Sequence, residues 1–195
     1  YNLPPVGTQA HEWYMFHGSK YGYRYANQIG LEKWVQVYQG EMGIALTDTY
    51  TTDVFLNSFG PLYSRLFDGV RQDSGDPIEF TNKILTHYHH RIGIPSSNKT
   101  IVYSDALNYK KLSEIKKFLI GTKASIIDRY GIGTWLTNDL LGITPLNMVI
   151  KLHSVVIDGL TGRWQPAVKL SDDVGKNTGD FMETMCCKQT LGIKL

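Results

Sequence analysis

Four short polar clusters carry most of the side chains that could do chemistry. They are Thr47, Asp48 and Thr49; then Arg71, Gln72, Asp73, Ser74, Gly75 and Asp76; then Ser104 and Asp105; and finally Gly131, Ile132, Gly133 and Thr134. Each follows a short apolar run and precedes a segment with helical character. In a βα repeat such positions fall at the carboxyl ends of parallel strands, where α/β barrels and open sheets build their sites. Clusters with one shared syntax imply one shared pocket.

The residue types suit a phosphate or sugar phosphate. Gly131 and Gly133 let backbone N–H groups approach an anion, the Thr134 hydroxyl can donate, and a following helix adds its dipole. Arg71 can hold a phosphate bidentately while Asp73 accepts from ribose hydroxyls. Asp76 has a different task, because Asp76, Pro77 and Glu79 read as N-cap, N1 and N3 of a helix. Asp48 and Asp105 suit turn chemistry at a strand end as well as function. His11, Glu12 and His17 superficially resemble a zinc-protease motif, but that chemistry needs histidines at i and i+4, and position 15 is Met. A histidine just after a strand can instead be a nucleophile or general base, oriented by Asp48 from a neighbouring strand end. His87, His89 and His90 lie late in a helix and read as a basic cap or solvated face. Adjacent Cys186 and Cys187 suit neither an ordinary disulfide nor a zinc knuckle and read as packing residues.

The elements that must position these groups follow from periodicity and punctuation. Leu3 to Gly7 reads as a short strand interrupted by Pro4 and Pro5, followed by a helix capped at Thr8 and stopped at Gly18. A longer helix spans Tyr23 to Gln39, with Ile29, Trp34, Val37 and Tyr38 as core contacts. Strands are expected over Gly43 to Thr47, Asp68 to Gln72, Lys99 to Ser104 and Lys123 to Tyr130. The intervening helices run from Thr52 to Phe59, from the Asp76 cap to Ile92, and through Leu112, Ile115 and Leu119. After Pro145 the pattern changes: Asn147 to Ile157 and Trp164 to Leu170 read as an antiparallel pair turning at Asp158 and Gly159, and a short helix follows near Phe181. Residues 1–144 therefore read as a partial α/β barrel and 145–195 as an appended lobe. A whole barrel needs about 250 residues, and only about five strand-to-loop units are visible.

Composition bounds the function. With 195 residues, 42% of them hydrophobic and 19% charged, the chain can bury a sizeable core. Twenty basic residues against 18 acidic give a formal charge of +2 with no basic block, so nucleic acid is not an expected partner. No apolar run approaches the roughly 20 residues of a membrane span, and the first residues do not form a signal peptide. A cytoplasmic protein with no membrane partner is expected. The chain opens at Tyr1 and enters an apolar segment at once, which suggests part of a longer polypeptide.

Pro5 to Trp13, Gly69 to Pro77, Ser104 to Asn108 and Tyr130 to Thr134 together resemble nicotinate phosphoribosyltransferases, in order and spacing, over nearly the whole chain. The resemblance is to the carboxyl-terminal portion of that family. It implies part of an irregular type II phosphoribosyltransferase α/β barrel with an appended antiparallel β-hairpin lobe, in a protein that is usually a homodimer. It further implies transfer of a phosphoribosyl group from phosphoribosyl diphosphate to nicotinate in NAD biosynthesis, with Mg²⁺ accompanying the phosphates. ATP hydrolysis would be coupled through a phosphorylated histidine, by motif His11. On the same comparison Asp48 and Thr49 orient His11, and Arg71 and Asp73 contact the phosphoribosyl part. Ser104 and Asp105 line the ribose side, and Gly131 to Thr134, chiefly Gly131, Gly133 and Thr134, cradle the 5′-phosphate. The family's amino-terminal part, with the aromatic residue that stacks on nicotinate, has no counterpart here, so the segment alone is expected to be inactive. Nicotinamide as acceptor, and a non-catalytic phosphate-binding or assembly module, remain the alternatives.

Overall fold

A computed structural model describes residues 7–41, 43–122, 125–138, 140–144, 146, 148–157, 162–173 and 175–194. Four short parallel strands organise it: β1 (Ile44–Leu46), β2 (Gly69–Gln72), β3 (Thr100–Tyr103) and β4 (Ile127–Tyr130), in the order β1-β2-β3-β4. Their register runs straight across the sheet, Leu46 opposite Arg71, Arg71 opposite Val102 and Val102 opposite Arg129. The residues that follow each strand therefore emerge along one edge. A parallel bridge from Thr8 to Ile44 adds the segment before the first helix beside β1.

Helices cover the sheet because their apolar residues recur at helical spacing. Helix α1 spans His11–Tyr21, α2 Tyr23–Tyr38, α3 Thr52–Ser58, α4 Pro61–Leu66, α5 Pro77–Thr86 and α6 Tyr109–Thr122. The start of α5 is as the sequence predicts: Asp76 Oδ1 accepts from the N–H groups of Ile78 and Glu79 at 2.9 Å each, with Pro77 at the first helical position. That helix continues as a π-helical turn, His87–Ile92, so Phe80, Ile84 and Tyr88 lie buried along one side. Leu46, Val70, Ile101 and Tyr103 from the strands meet Phe55, Phe59, Phe67 and Leu119 in one core.

Several expectations about the first two helices are corrected. Thr8 does not cap α1, whose N-cap is Ala10 without a side-chain bond, because Thr8 is engaged in the bridge to Ile44. Gly18 does not stop that helix but lies buried inside it, where a methyl group would collide with the hydroxyl of fully buried Tyr50. The buried side of α2 is Tyr23, Ala26, Asn27, Gly30 and Leu31, while Val37 is 68% exposed and Ile29 and Trp34 are half-buried. Gly30 decides that register: a Cβ there would stand 2.7 Å from the Tyr14 ring, which needs the gap. Helix α4 has no counterpart among the expected elements: Gly60 and Pro61, which follow the expected Thr52 to Phe59 helix, start a new one with Pro at its first position. His87 is buried in the core, its Nε2 donating to the Phe59 carbonyl at 2.9 Å, and is no part of a solvated face.

Beyond β4 lie a single turn of helix, α7 (Thr134–Thr137), a hairpin of β5 (Ser154–Val156) and β6 (Trp164–Pro166), and α8 (Phe181–Leu191). The hairpin strands are antiparallel, as expected, but much shorter than the sequence suggests. The turn at Asp158 and Gly159, the start of the chain through Val6, Lys123, and the boundary residues Pro145 and Asn147 lie outside the described residues. Ser19 Oγ ties the hairpin to α1 by donating to the Pro166 carbonyl at 2.7 Å. The two cysteines are free, Cys187 buried and Cys186 exposed.

Replacing Gly18 by alanine should destabilise the fold by about 1–3 kcal/mol, the usual cost of overpacking a filled core. Equilibrium urea unfolding of Gly18→Ala against the unsubstituted chain measures this, with a matched shift in midpoint and little change in slope.

Candidate active site

His11 opens α1 at the strand-end edge, and its imidazole is bonded on both nitrogens. Nδ1 lies 3.0 Å from Thr49 Oγ1 and Nε2 lies 3.0 Å from Asp73 Oδ2. Asp48 Oδ1 stands 3.8 Å from the same Nε2. An ionised carboxylate can only accept, so Nε2 carries a proton, and in the neutral ring the Thr49 hydroxyl donates to the Nδ1 lone pair. The ring is 3% exposed, which shields that lone pair from bulk water.

Asp73 is shared. Its Oδ1 accepts from the Arg71 guanidinium at 2.7 Å and from Ser104 Oγ at 2.8 Å, while Oδ2 faces His11. Burial opposes ionisation of this carboxyl, but the His11 hydrogen bond, the Arg71 charge and hydrogen bond, and the Ser104 hydroxyl together hold it well below the usual carboxylate range. Arg71 also donates to Ser104 Oγ at 2.8 Å and to Thr8 Oγ1 at 2.9 Å. Thr8, Arg71, Asp73 and Ser104 thus form one connected patch across three neighbouring segments.

Asp48 is fully buried. Its Oδ2 accepts from Ser74 Oγ at 2.5 Å and lies 4.0 Å from the Lys169 ammonium, whereas Oδ1 has no hydrogen-bond donor. Asp48 Oδ1, Asp73 and His11 place one donor atom each within 4.8 Å of one another, an arrangement that also suits a divalent cation.

A strap after the hairpin closes the edge. The Leu170 N–H donates to the Thr49 carbonyl at 2.7 Å and the Asp172 N–H to Ser74 Oγ at 3.0 Å. The Asp172 carboxylate accepts from Thr52 N–H at 2.8 Å and Thr52 Oγ1 at 2.5 Å, yet burial pushes its acidity below that of an ordinary aspartate. Lys176 bridges Asp173 and Asp105, standing 3.7 Å from the latter. Burial also raises the Asp105 carboxyl above its ordinary value, against the nearby Lys176 charge.

The structure brings His11, Asp48, Thr49, Arg71, Asp73 and Ser104 into direct contact or within one residue of it. Asp105, Gly131, Gly133 and Thr134 stand apart from that network but line a cavity of about 760 Å³ with Asp73 and Ser104. The helix after the glycines is only four residues long, so it adds little dipole to a cradle there. Ser74, Lys169, Asp172 and Lys176 were not singled out from sequence. Ser74 lies within a recognised cluster, the Lys169 to Asp173 run at a predicted strand end is the available signal for Lys169 and Asp172, and Lys176 has none.

The profile of the nicotinate phosphoribosyltransferase (NAPRTase) family matches residues 1–194. The nicotinate phosphoribosyltransferase of Desulforapulum autotrophicum is 50% identical over 191 residues, 98% of this chain and 48% of that protein. That of Chromohalobacter salexigens is 49% identical over 180 residues, 92% of this chain and 44% of the relative. A crystal structure of nicotinate phosphoribosyltransferase from Porphyromonas gingivalis superposes with a TM-score of 0.90 at 42% identity, over 98% of this chain and 48% of that one. The chain spans about half the length of the relatives it matches.

Asp73 links this geometry to acid stability. Its carboxyl is held below the ordinary value of 3.8, so in the window beneath that value the unfolded chain binds the proton more readily than the folded one. The stability it contributes is complete above the window and drains as pH falls through it. Urea midpoints measured from about pH 6 to about pH 3 should therefore fall more steeply for the unsubstituted chain than for Asp73→Asn, the gap between them narrowing in the acid part of that range.

Proposed function

The chain belongs to the nicotinate phosphoribosyltransferase family, and we propose that it supplies the phosphate-handling half of an enzyme joining nicotinate to phosphoribosyl diphosphate. The products are nicotinate mononucleotide and diphosphate, a step toward NAD. The observation that carries this reading is the His11 imidazole, bonded on both nitrogens between Thr49 and Asp73, with Arg71 on the far side of the same carboxylate.

ATP hydrolysis is coupled through His11. Its Nδ1 lone pair attacks the γ-phosphorus of ATP, the bond from that phosphorus to the bridging oxygen breaks, and ADP leaves with the electron pair. Positive charge that develops on the ring is stabilised by Asp73 at 3.0 Å and by Asp48 at 3.8 Å. Thr49 releases Nδ1 as the new P–N bond forms and turns its hydroxyl toward the phosphoryl oxygens. Water later cleaves the P–N bond, giving phosphate and the original imidazole.

Phosphoribosyl transfer is a displacement at the anomeric carbon. Arg71 and Asp73 hold the phosphoribosyl part, Ser104 and Asp105 line its ribose side, and Gly131, Gly133 and Thr134 hold its 5′-phosphate. The carbon–oxygen bond to diphosphate breaks as the nicotinate ring nitrogen bonds to the same carbon from the opposite face. That nitrogen carries no proton, so placement and electrostatics supply the acceleration and no general base is assigned. Mg²⁺ accompanying the phosphates would offset charge on the leaving group. The buried Asp48 Oδ1, which lacks a hydrogen-bond donor, fits such a hard cation, as does the Asp105 carboxylate on the cavity wall.

The four-stranded sheet is read as an arc of the family's irregular barrel, and the relatives' additional length as the source of the nicotinate-stacking aromatic and of a homodimer. The segment alone is therefore inactive. A protein carrying both this chain and an amino-terminal half should form nicotinate mononucleotide and incorporate acid-labile, base-stable phosphate from [γ-³²P]ATP. His11→Asn should abolish the label, and Asp73→Ala should lower turnover by about 100-fold or more. Robust synthesis by the isolated segment, preference for nicotinamide, or unchanged labelling in His11→Asn would each count against the reading.

A further inference from the structure

Asp73 is one carboxylate answering to two halves of the site. Its Oδ1 is held by Arg71 at 2.7 Å and Ser104 at 2.8 Å, and its Oδ2 by the His11 N–H at 3.0 Å. The negative charge is delocalised over both oxygens, so a stronger donor on one side weakens the hold on the other. Arg71's further partners, Thr8 at 2.9 Å and Ser104 at 2.8 Å, are neutral hydroxyls. Among the described residues, Asp73 is the only carboxylate in ion-pair contact with Arg71. An anion arriving at Arg71 must therefore compete with Asp73 for the guanidinium.

We propose that Asp73 couples the two half-sites: the state of His11 sets, through Asp73, how tightly Arg71 holds the diphosphate or phosphate oxygens of a ligand. This rests on the reading of Arg71 as an anion contact and makes Asp73 a positioning residue for it. When the His11 N–H draws on Oδ2, the guanidinium is freer for the ligand. Any change that stops His11 from donating returns the carboxylate to Arg71 and loosens the anion. A phosphoryl group on Nδ1 leaves Nε2–H in place, so the modified ring keeps Arg71 available. Asp48 Oδ1 stands 3.8 Å from the same Nε2, beyond hydrogen-bond reach, and Asp48 Oδ2 is already engaged by Ser74 and lies near Lys169. By reciprocity, an anion on Arg71 releases Asp73 toward His11 and strengthens that hydrogen bond.

The test is a double-mutant cycle on a protein carrying both this chain and an amino-terminal half, with metal-free inorganic diphosphate as the probe and titration calorimetry as the readout. Asp73→Asn, which keeps the shape and removes the competing charge, should bind diphosphate about fivefold more tightly or better. His11→Ala should bind it about fivefold more weakly, and in the Asp73→Asn background that loss should shrink to under about twofold. His11→Gln retains an N–H donor and should stay within about twofold of the unsubstituted chain, a rescue that a cavity effect would not give. Weaker binding by Asp73→Asn, no effect of His11→Ala, or an equal loss in both backgrounds overturns the coupling while leaving Arg71 as an anion contact. Absence of diphosphate binding by every variant, the unsubstituted chain included, overturns the anion-site reading itself and the coupling with it.

Discussion

A half-buried carboxylate at the end of a strand has to be matched on every side, and the environment of Asp73 is organised around that requirement. Its side chain is 20% exposed, too little for water to carry the charge alone. Three donors from three segments converge on it: Arg71 from its own strand, Ser104 from the next, and His11 from the helix beyond β1. They can do so because the register across β1, β2 and β3 is straight, which delivers the strand ends to one edge. Shifting β2 by a residue would turn Arg71 to the opposite face of the sheet and leave the carboxylate unmatched.

The same demand recurs one step away, at Asp48. This fully buried carboxylate takes its donor from Ser74 and its nearest cation from Lys169, which belongs to the strap after the hairpin. The strap is fixed to Thr49, Thr52 and Ser74 through Leu170 and Asp172, so the late part of the chain completes the electrostatics of residues placed early in it. Asp48 Oδ1 is the atom this closure leaves without a donor, and it points toward His11. The hairpin lobe is in this sense part of the site's support.

β1 and β3 are legible in the sequence because each is a short, mainly apolar run bounded by a turn signal, β2 and β4 through the polar clusters that follow them, and the α5 start because Asp76, Pro77 and Glu79 each satisfy a distinct capping requirement. Asp48 beside His11 is read from the strand-end positions and Thr49 from the family resemblance, and the His11–Asp73 contact is what the structure adds. What was not legible depends on contacts remote in sequence. The buried side of α2 is set by the Tyr14 ring meeting Gly30, which no periodicity within α2 reveals. Gly18 looks like a stop and is a close-approach site for Tyr50. Lys169 and Asp172 carry no motif; their importance arises only when the strap crosses the strand ends. The late helix position of His87 suggests a solvated face, and the π-helical turn instead turns it toward Phe59 and Ser64.

Asp73 fixes the His11 imidazole with a proton on Nε2, leaving Nδ1 to the Thr49 hydroxyl. Long-range ¹H–¹⁵N correlation of the histidine side chains at neutral pH reads the tautomer of His11 directly, with His11→Gln assigning the signal. The unsubstituted chain should show a protonated Nε2 and a pyridine-type Nδ1, with that preference lost in Asp73→Asn. A proton on Nδ1, or a tautomer indifferent to Asp73→Asn, would contradict this.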